Sequence, residues 1–166
     1  EMVNAGRVPD EGEPDLAERL ASARAAGLME ATTSHVDAAR QADVVVMIVP
    51  LLLSDEEEPD YRHLDAATAA VGRGLQPGSL VIYETTLPVG DTRGRFGPAL
   101  ERSSGLGMGD AEHGFLLAFS PERVYSGRVF RDLAMAAGHR NTMMRDPLVR
   151  QLAQLRLGVI PAGMQR

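Results

Sequence analysis

The sequence predicts an α/β domain with a parallel sheet flanked by helices. Three short apolar runs rich in Val, Ile, Leu and Tyr alternate with segments of helical spacing, and each run ends in a polar turn. Such runs are typical of strands buried on both faces, and their alternation with helices indicates parallel pairing. Parallel strands place their carboxyl ends at one edge of the sheet, so we expect the turns to converge there. The runs and turns are residues 44–49 before Pro50, 80–83 before Glu84-Thr85-Thr86, and 116–119 before Ser120-Pro121-Glu122.

The first half of the chain predicts a loop and three helices around the first strand. Residues 1–14 are rich in Pro, Gly, Asp and Glu, which is typical of a loop. A helix over 15–26 is expected to be capped by Asp15 and ended by Gly27, with Leu16, Leu20 and Ala23 on one face. A short helix over 35–40 follows a cap at Thr33 or Ser34. A helix over 61–73 has an apolar stripe formed by Leu64, Ala67, Thr68 and Val71.

The second half predicts one clear helix before the third strand and a weaker pattern after it. Residues 76–79 predict a turn, and Asp91 or Thr92 is expected to cap a helix that ends near residue 102. Beyond residue 132 only Asp146-Pro147 gives a helix-start signal, for a helix over 148–157, and 158–166 predicts an unstructured tail. We therefore divide the chain into a sheet domain, 1–132, and a divergent C-terminal segment, 133–166, with one helix.

Composition excludes several classes of function. The chain has 166 residues, 44% of them hydrophobic, and a net charge of −6, which argues against a nucleic-acid partner. No apolar run approaches the roughly 20 residues of a membrane span, and no signal peptide is evident, so we expect a cytoplasmic protein without a membrane partner. There is no cysteine, and all 17 basic residues are arginine, which excludes a thiolate nucleophile and Schiff-base chemistry in this chain.

The polar turns hold the candidate chemistry. Hydroxyls of Thr85 and Thr86 suit a phosphate, a nicotinamide amide or a bound water, or they only cap local backbone. A carboxylate such as Glu122 at a strand end could act as a general base, or form a surface ion pair with Arg123 or Arg128. Pro50 has no N–H and would let a flat ring pack against the strand end, or it only stops the strand.

Other motifs favour structural roles. The acidic run 55–58 could bind a cation, but a solvated loop explains it better, and the four histidines lack metal-ligand spacing, so no metal site is expected. Residues 105–109 read Gly-Leu-Gly-Met-Gly, yet no strand precedes them, and their spacing differs from the dinucleotide motif GxGxxG.

Taken together, these motifs resemble the N-terminal domain of the UDP-glucose/GDP-mannose dehydrogenase family. The resemblance covers about residues 4–132 and leans toward the branch that acts on UDP-N-acetylmannosamine and related sugars. It rests on Asn4-Ala5-Gly6, Glu13-Pro14-Asp15-Leu16, Gly27-Leu28 with Ala31-Thr32, Val49-Pro50, Glu84-Thr85-Thr86-Leu87-Pro88-Val89-Gly90, and Ser120-Pro121-Glu122-Arg123-Val124 with Gly127-Arg128.

The resemblance implies an NAD-dependent enzyme that oxidises the C6 alcohol of a UDP-sugar twice, to a carboxylate, as a homodimer or larger oligomer when full length. By position, Val49, Pro50 and Leu51 would line the adenosine side of NAD. Thr85 and Thr86 would lie near the nicotinamide, with Thr86 holding a catalytic water. Glu122 would be the acid/base residue, and it would bind the nucleotide sugar together with Arg123 and Val124.

Departures from the family pattern imply a partial, Rossmann-like sheet that lacks the first βαβ unit. The glycine-rich dinucleotide loop is missing, Leu51-Leu52 replace a Thr-Pro pair, and Ser126 replaces a second carboxylate. The family's later catalytic cysteine and lysine have no counterpart here. We therefore expect a truncated or frameshifted product that is inactive alone. The alternatives are a β-hydroxyacid dehydrogenase-like domain and a non-catalytic nucleotide-binding domain.

Overall fold

The computed structural model describes residues 1–8, 12–121, 127–131 and 157–160. The chain divides into two compact units. One consists of residues 1–33 and 123–153, and the other of residues 34–122 and 154–166. The second unit contains the sheet and, within the described residues, three of the four α-helices, so it carries the predicted α/β fold.

The main sheet has four strands, all parallel, which confirms the predicted fold class. Strand β1 is Val44–Met47, and a two-residue pair, β2 Leu52–Leu53 with β3 Pro59–Asp60, forms a separate antiparallel hairpin. Strands β4, Leu80–Tyr83, and β5, Leu116–Phe119, have the predicted bounds. The order across the sheet is β5-β4-β1-β6, where β6 is Leu157–Ile160.

Strand β6 corrects the prediction of an unstructured tail from residue 158. It pairs in parallel with β1, with Val44 opposite Leu157 and Met47 opposite Ile160. The predicted helix over 148–157 was wrong at Leu157, and residues 148–156 lie outside the described residues. The apolar run was too short and too glycine-interrupted to predict a strand alone, because its partner is distant in sequence.

The expectation that every strand is buried on both faces was right only for β1. All four residues of β1 are buried, β4 alternates between buried and half-buried side chains, and β5 exposes Leu116 and Phe119. For β5 the difference follows from position, because this strand forms one edge of the sheet, whereas β1 lies inside it.

The helices of this unit share a hydrophobic core with the sheet, and α3 does so through its predicted apolar positions. Helix α2, His35–Gln41, begins at Ser34, whose Oγ accepts a hydrogen bond from the Asp37 backbone N–H at 3.2 Å. Helix α3, Arg62–Gly74, buries the whole predicted stripe. The helix expected after Asp91 starts instead as a π-helical turn, Thr92–Phe96, and continues as helix α4, Gly97–Ser104.

The core of this unit lies between the sheet and the helices. Its largest fully buried side chains include Tyr83, Phe96, Phe115, Met47 and Leu64. The rings of Tyr83 and Phe96 stack with centroids 4.8 Å apart, and the Tyr83 hydroxyl lies 2.7 Å from the buried Thr68 hydroxyl. The strand that precedes the Thr85-Thr86 turn is thereby held against helix α3.

In the first unit, a 3-10 turn, Val3–Ala5, precedes helix α1, Leu16–Ala25. Asp15 occupies the N-cap position but makes no side-chain cap, because its φ of 65° turns the backbone away from capping geometry. Only Leu20 of the predicted apolar face is buried. Gly27, with φ of 68°, ends the helix as predicted.

Candidate functional site

The carboxyl ends of three strands lie side by side at one edge of the sheet, as predicted. Met47, Tyr83 and Phe119 occupy the same level across β1, β4 and β5. The pairing extends one residue further on both sides of β4. The Glu84 N–H donates to the Met47 carbonyl at 2.9 Å, and the Ser120 N–H donates to the Tyr83 carbonyl at 3.0 Å. The polar turns that follow β4 and β5 therefore start next to each other.

The side chains predicted for the cofactor differ in their accessibility. Pro50 and Thr86 are exposed, Leu51 and Thr85 are half-buried, and Val49 is only 3% exposed. A ligand at this edge could reach the ring of Pro50 and the hydroxyl of Thr86 without any rearrangement. Val49 could contribute to such a site through its backbone and by supporting the loop, since its side chain belongs to the core.

The predicted acid/base and substrate residues Glu122, Arg123 and Val124 lie outside the described residues. Ser120 and Pro121, the two residues that directly follow β5, are both exposed. The roles of these three residues stay predictions.

A cluster of four side chains around Asp91, which lies five residues after Thr86 in the sequence, was missed by the sequence analysis. The Tyr61 hydroxyl, just before helix α3, donates a hydrogen bond to the Asp91 carboxylate. The Arg95 guanidinium lies 3.8 Å from the centroid of the Tyr61 ring and makes a two-point contact with Asp65, at 3.1 and 2.5 Å. Asp91 was one of the two residues, with Thr92, expected to cap this helix, but as the N-cap residue it makes no side-chain hydrogen bond to the backbone.

Electrostatics in this cluster follow from those contacts. The hydrogen bond to Asp91, with a smaller contribution from burial, raises the pKa of the Tyr61 hydroxyl. The hydrogen bond to Asp65 raises the pKa of the Arg95 guanidinium. Tyr61 therefore stays a neutral hydrogen-bond donor, and Arg95 stays a cation, across the physiological pH range.

Two motif residues of the first unit have structural partners there. The Asn4 side chain pairs with the backbone of Ala31, donating to its carbonyl at 2.7 Å and accepting from its N–H at 2.8 Å. The Glu13 carboxylate accepts hydrogen bonds from the Gly127 and Val129 N–H groups at 2.6 and 2.8 Å. Glu13 thus binds the backbone shortly after the predicted substrate residues.

Several alternatives for other motifs are decided by geometry. Gly105 ends helix α4 with φ of 74°, and the glycine-rich segment that it opens precedes β5, so it is a helix end and not a phosphate loop. Residues 55–58 form the exposed turn of the β2–β3 hairpin, where Ser54 Oγ accepts from the Glu56 N–H at 3.2 Å.

Across residues 1–8, 12–121, 127–131 and 157–160, no group of three or more potential metal-ligating side chains is found. Within the same ranges, no helix has the length and apolar character needed to cross a membrane. An open cavity of about 740 Å³ lies between α3 and α4, with Asp65, Arg95 and Arg102 in its lining, and it includes none of the predicted site residues.

The parallel sheet, its flanking helices and the polar turns at the carboxyl edge define a Rossmann-type nucleotide-binding domain. The NAD-binding domain model of the UDP-glucose/GDP-mannose dehydrogenase family matches residues 1–139. The chain belongs to this family, which confirms the resemblance, and the matched part identifies NAD as the cofactor of the domain.

Individual relatives agree with this assignment. The NDP-N-acetyl-D-galactosaminuronic acid dehydrogenase of Ralstonia solanacearum is 34% identical over 125 residues, which cover 73% of this chain and 28% of the relative. The UDP-N-acetyl-D-mannosamine dehydrogenase of Escherichia coli K12 is 32% identical over 128 residues, covering 73% and 29%. The crystal structure of an NDP-N-acetyl-D-galactosaminuronic acid dehydrogenase from Methanosarcina mazei superimposes with a TM-score of 0.72 at 34% identity, covering 80% and 28%.

The chain spans less than a third of the length of these relatives. The match to this family favours it over the alternative of a β-hydroxyacid dehydrogenase-like domain.

Proposed function

We propose that the chain forms part of the NAD site of an enzyme that oxidises the C6 alcohol of a UDP-N-acetylated hexose to a carboxylate, for the synthesis of polysaccharide or cell-surface glycan precursors. The observation that carries this proposal is the common level of Met47, Tyr83 and Phe119, which brings the polar turns of a family NAD-binding domain to one edge. The named relatives act on N-acetylated sugars, which supports the choice of sugar class. The complete enzyme is proposed to be a homodimer or a larger oligomer.

The residues at the edge suit the nicotinamide half of the cofactor. Bound NAD would accept a hydride from the sugar carbon. We assign Thr85 to the carboxamide side of the ring and the exposed Thr86 hydroxyl to a water beside the reacting carbon. The ring of Pro50 offers a flat apolar contact to the adenosine side, together with Val49 and Leu51. Glu122 would take the proton of the alcohol, while Arg123 and Val124 would hold the nucleotide sugar.

This chain alone is proposed to bind NAD or a UDP-sugar without catalysing the oxidation. It has no cysteine to hold a thiohemiacetal and no lysine, and no glycine-rich phosphate loop follows a strand among its described residues. The purified chain is expected to bind a UDP-sugar or NAD weakly and to produce no NADH with any UDP-sugar.

Ligand titrations followed by NMR or calorimetry test the proposal. Thr85→Val removes the hydroxyl assigned to the carboxamide with little change of shape and should weaken NAD binding about two- to tenfold, the effect of one lost hydrogen bond. Thr92→Val, at the start of the next helix, is the matched control and should bind NAD like the parent. If the chain bound neither NAD nor a UDP-sugar, the proposal that it binds these ligands on its own would be wrong. NADH formation would contradict the proposed inactivity.

A further inference from the structure

A hydrogen bond from Tyr61, at the start of helix α3, to Asp91 holds one end of the loop that carries Thr85 and Thr86. The loop begins at Glu84, whose N–H is bound to β1, and it ends where Asp91 opens the π-helical turn. Between these points, Pro88, Val89 and Gly90 are exposed, and Val89 is fully accessible. Leu87, which lies between the two threonines and this exposed stretch, is partly buried and packs against the core, so residues 88–90 are held between Leu87 and Asp91.

The far end of the loop is held through the Asp91 side chain. Asp91 accepts a hydrogen bond from the Tyr61 hydroxyl, and Tyr61 lies at the N-terminus of helix α3, thirty residues earlier in the chain. The Tyr61 ring is itself held on two sides. Arg95 lies over one face at 3.8 Å, and Phe96 is a tilted neighbour with its centroid 6.2 Å away. The packing around the ring therefore fixes the Tyr61 hydroxyl independently of its hydrogen bond to Asp91.

We propose that Tyr61 and Asp91 are positioning residues that hold the Thr85-Thr86 loop at the carboxyl edge of the sheet. The pair is partly buried and joins a neutral donor to a carboxylate, a combination that is stronger than a neutral hydrogen bond. Its link to NAD rests on the function proposed above. Neither side chain needs to touch the cofactor, because each acts by restricting the loop.

Three substitutions separate this role from general stability. Tyr61→Phe removes the hydroxyl and keeps the ring under Arg95 and beside Phe96. Asp91→Ala removes the acceptor, whereas Asp91→Asn keeps an oxygen that can accept from Tyr61. Arg62→Gln is the matched control, because Arg62 adjoins Tyr61 but pairs with Asp60 and not with the loop.

Amide hydrogen exchange gives the readout without any ligand. The Gly94 N–H donates to the Gly90 carbonyl at 2.8 Å, so its exchange reports the end of the loop, while the amides of β4 report the sheet. Tyr61→Phe and Asp91→Ala should each speed exchange at Gly94 about five- to tenfold and leave β4 unchanged. Asp91→Asn and Arg62→Gln should stay within about twofold of the parent.

The outcomes decide between the proposals. Unchanged exchange at Gly94 in Tyr61→Phe, equal effects of Asp91→Asn and Asp91→Ala, or equal acceleration throughout β4 would each overturn the positioning role. If exchange follows the expected order, NAD affinity should fall in the same order. If exchange follows that order and the parent binds no NAD, the positioning role stands, and the function proposed above is wrong.

Discussion

The buried hydroxyl pair between Thr68 and Tyr83 allows a sharp test of the core. Both side chains are fully buried, and their oxygens lie 2.7 Å apart. Tyr83→Phe would leave the Thr68 hydroxyl buried without this partner, and Thr68→Val would do the same to the Tyr83 hydroxyl. An unsatisfied buried hydroxyl costs about 1–3 kcal/mol, so each single variant should lose that much free energy of unfolding. The double variant removes both polar groups and keeps their volumes, so it should be more stable than the sum of the singles implies.

Urea unfolding of the four proteins measures this double-mutant cycle. With a slope of about 2 kcal/mol per molar urea, each single variant should unfold at a midpoint about 0.5–1.5 M lower. The double variant should recover at least half of the summed loss, which corresponds to a coupling of about 1 kcal/mol or more. If the losses simply added, the two hydroxyls would not depend on each other, and the reasoning would be refuted.

Alkaline pH provides a second check on the same residue. Burial raises the pKa of the Tyr83 hydroxyl above its ordinary value. The stability linked to that shift is complete below the unfolded pKa, about 10, and is lost as the pH rises above it. Tyr83→Phe should therefore unfold with a weaker alkaline dependence than the parent. An unchanged alkaline profile would contradict the assignment of the shift to burial.

Three further predictions concern other contacts. Gly74→Ala should destabilise the chain, because the new Cβ would lie 2.1 Å from a carbonyl oxygen of α2. Gly94→Ala should not, because the space around Gly94 is open, and the thermal unfolding midpoints of the two variants test this difference. The Arg62 hydrogen bond holds the pKa of Asp60 at about 2, so Arg62→Gln should move the Asp60 titration upward in NMR, and an unmoved titration would exclude that cause. Deleting residues 154–166 should expose the backbone of β1 and promote association, seen by light scattering; a monomer with unchanged stability would argue against the β6 pairing.

Local signals in the sequence were sufficient for much of the fold. The apolar runs that became β4 and β5 were predicted to the residue, since alternating strand and helix patterns are local. The cap at Ser34 and the buried stripe of α3 followed from short-range chemistry as well. The converging turns could be predicted because parallel pairing follows from that alternation.

Contacts between residues that are distant in the sequence could not be predicted from those local signals. Asp91 next to Thr92 looked like a helix cap, because nothing nearby in the sequence indicates a donor thirty residues earlier. The strand at residues 157–160 depends on the edge of β1 for its hydrogen bonds, and its own composition does not predict a strand. Sequence spacing reveals local capping and periodicity, whereas these features depend on the tertiary fold.

The place of β6 has a kinetic consequence for the nascent protein. Val44 and its neighbours emerge from the ribosome before the residues opposite them, from Leu157 onward, because residues 48–156 are synthesised in between. One side of β1 must therefore wait while this intervening segment is made, during which a chaperone or another nascent strand could occupy it. Closing so large a loop late makes this pairing a candidate for the slowest folding step.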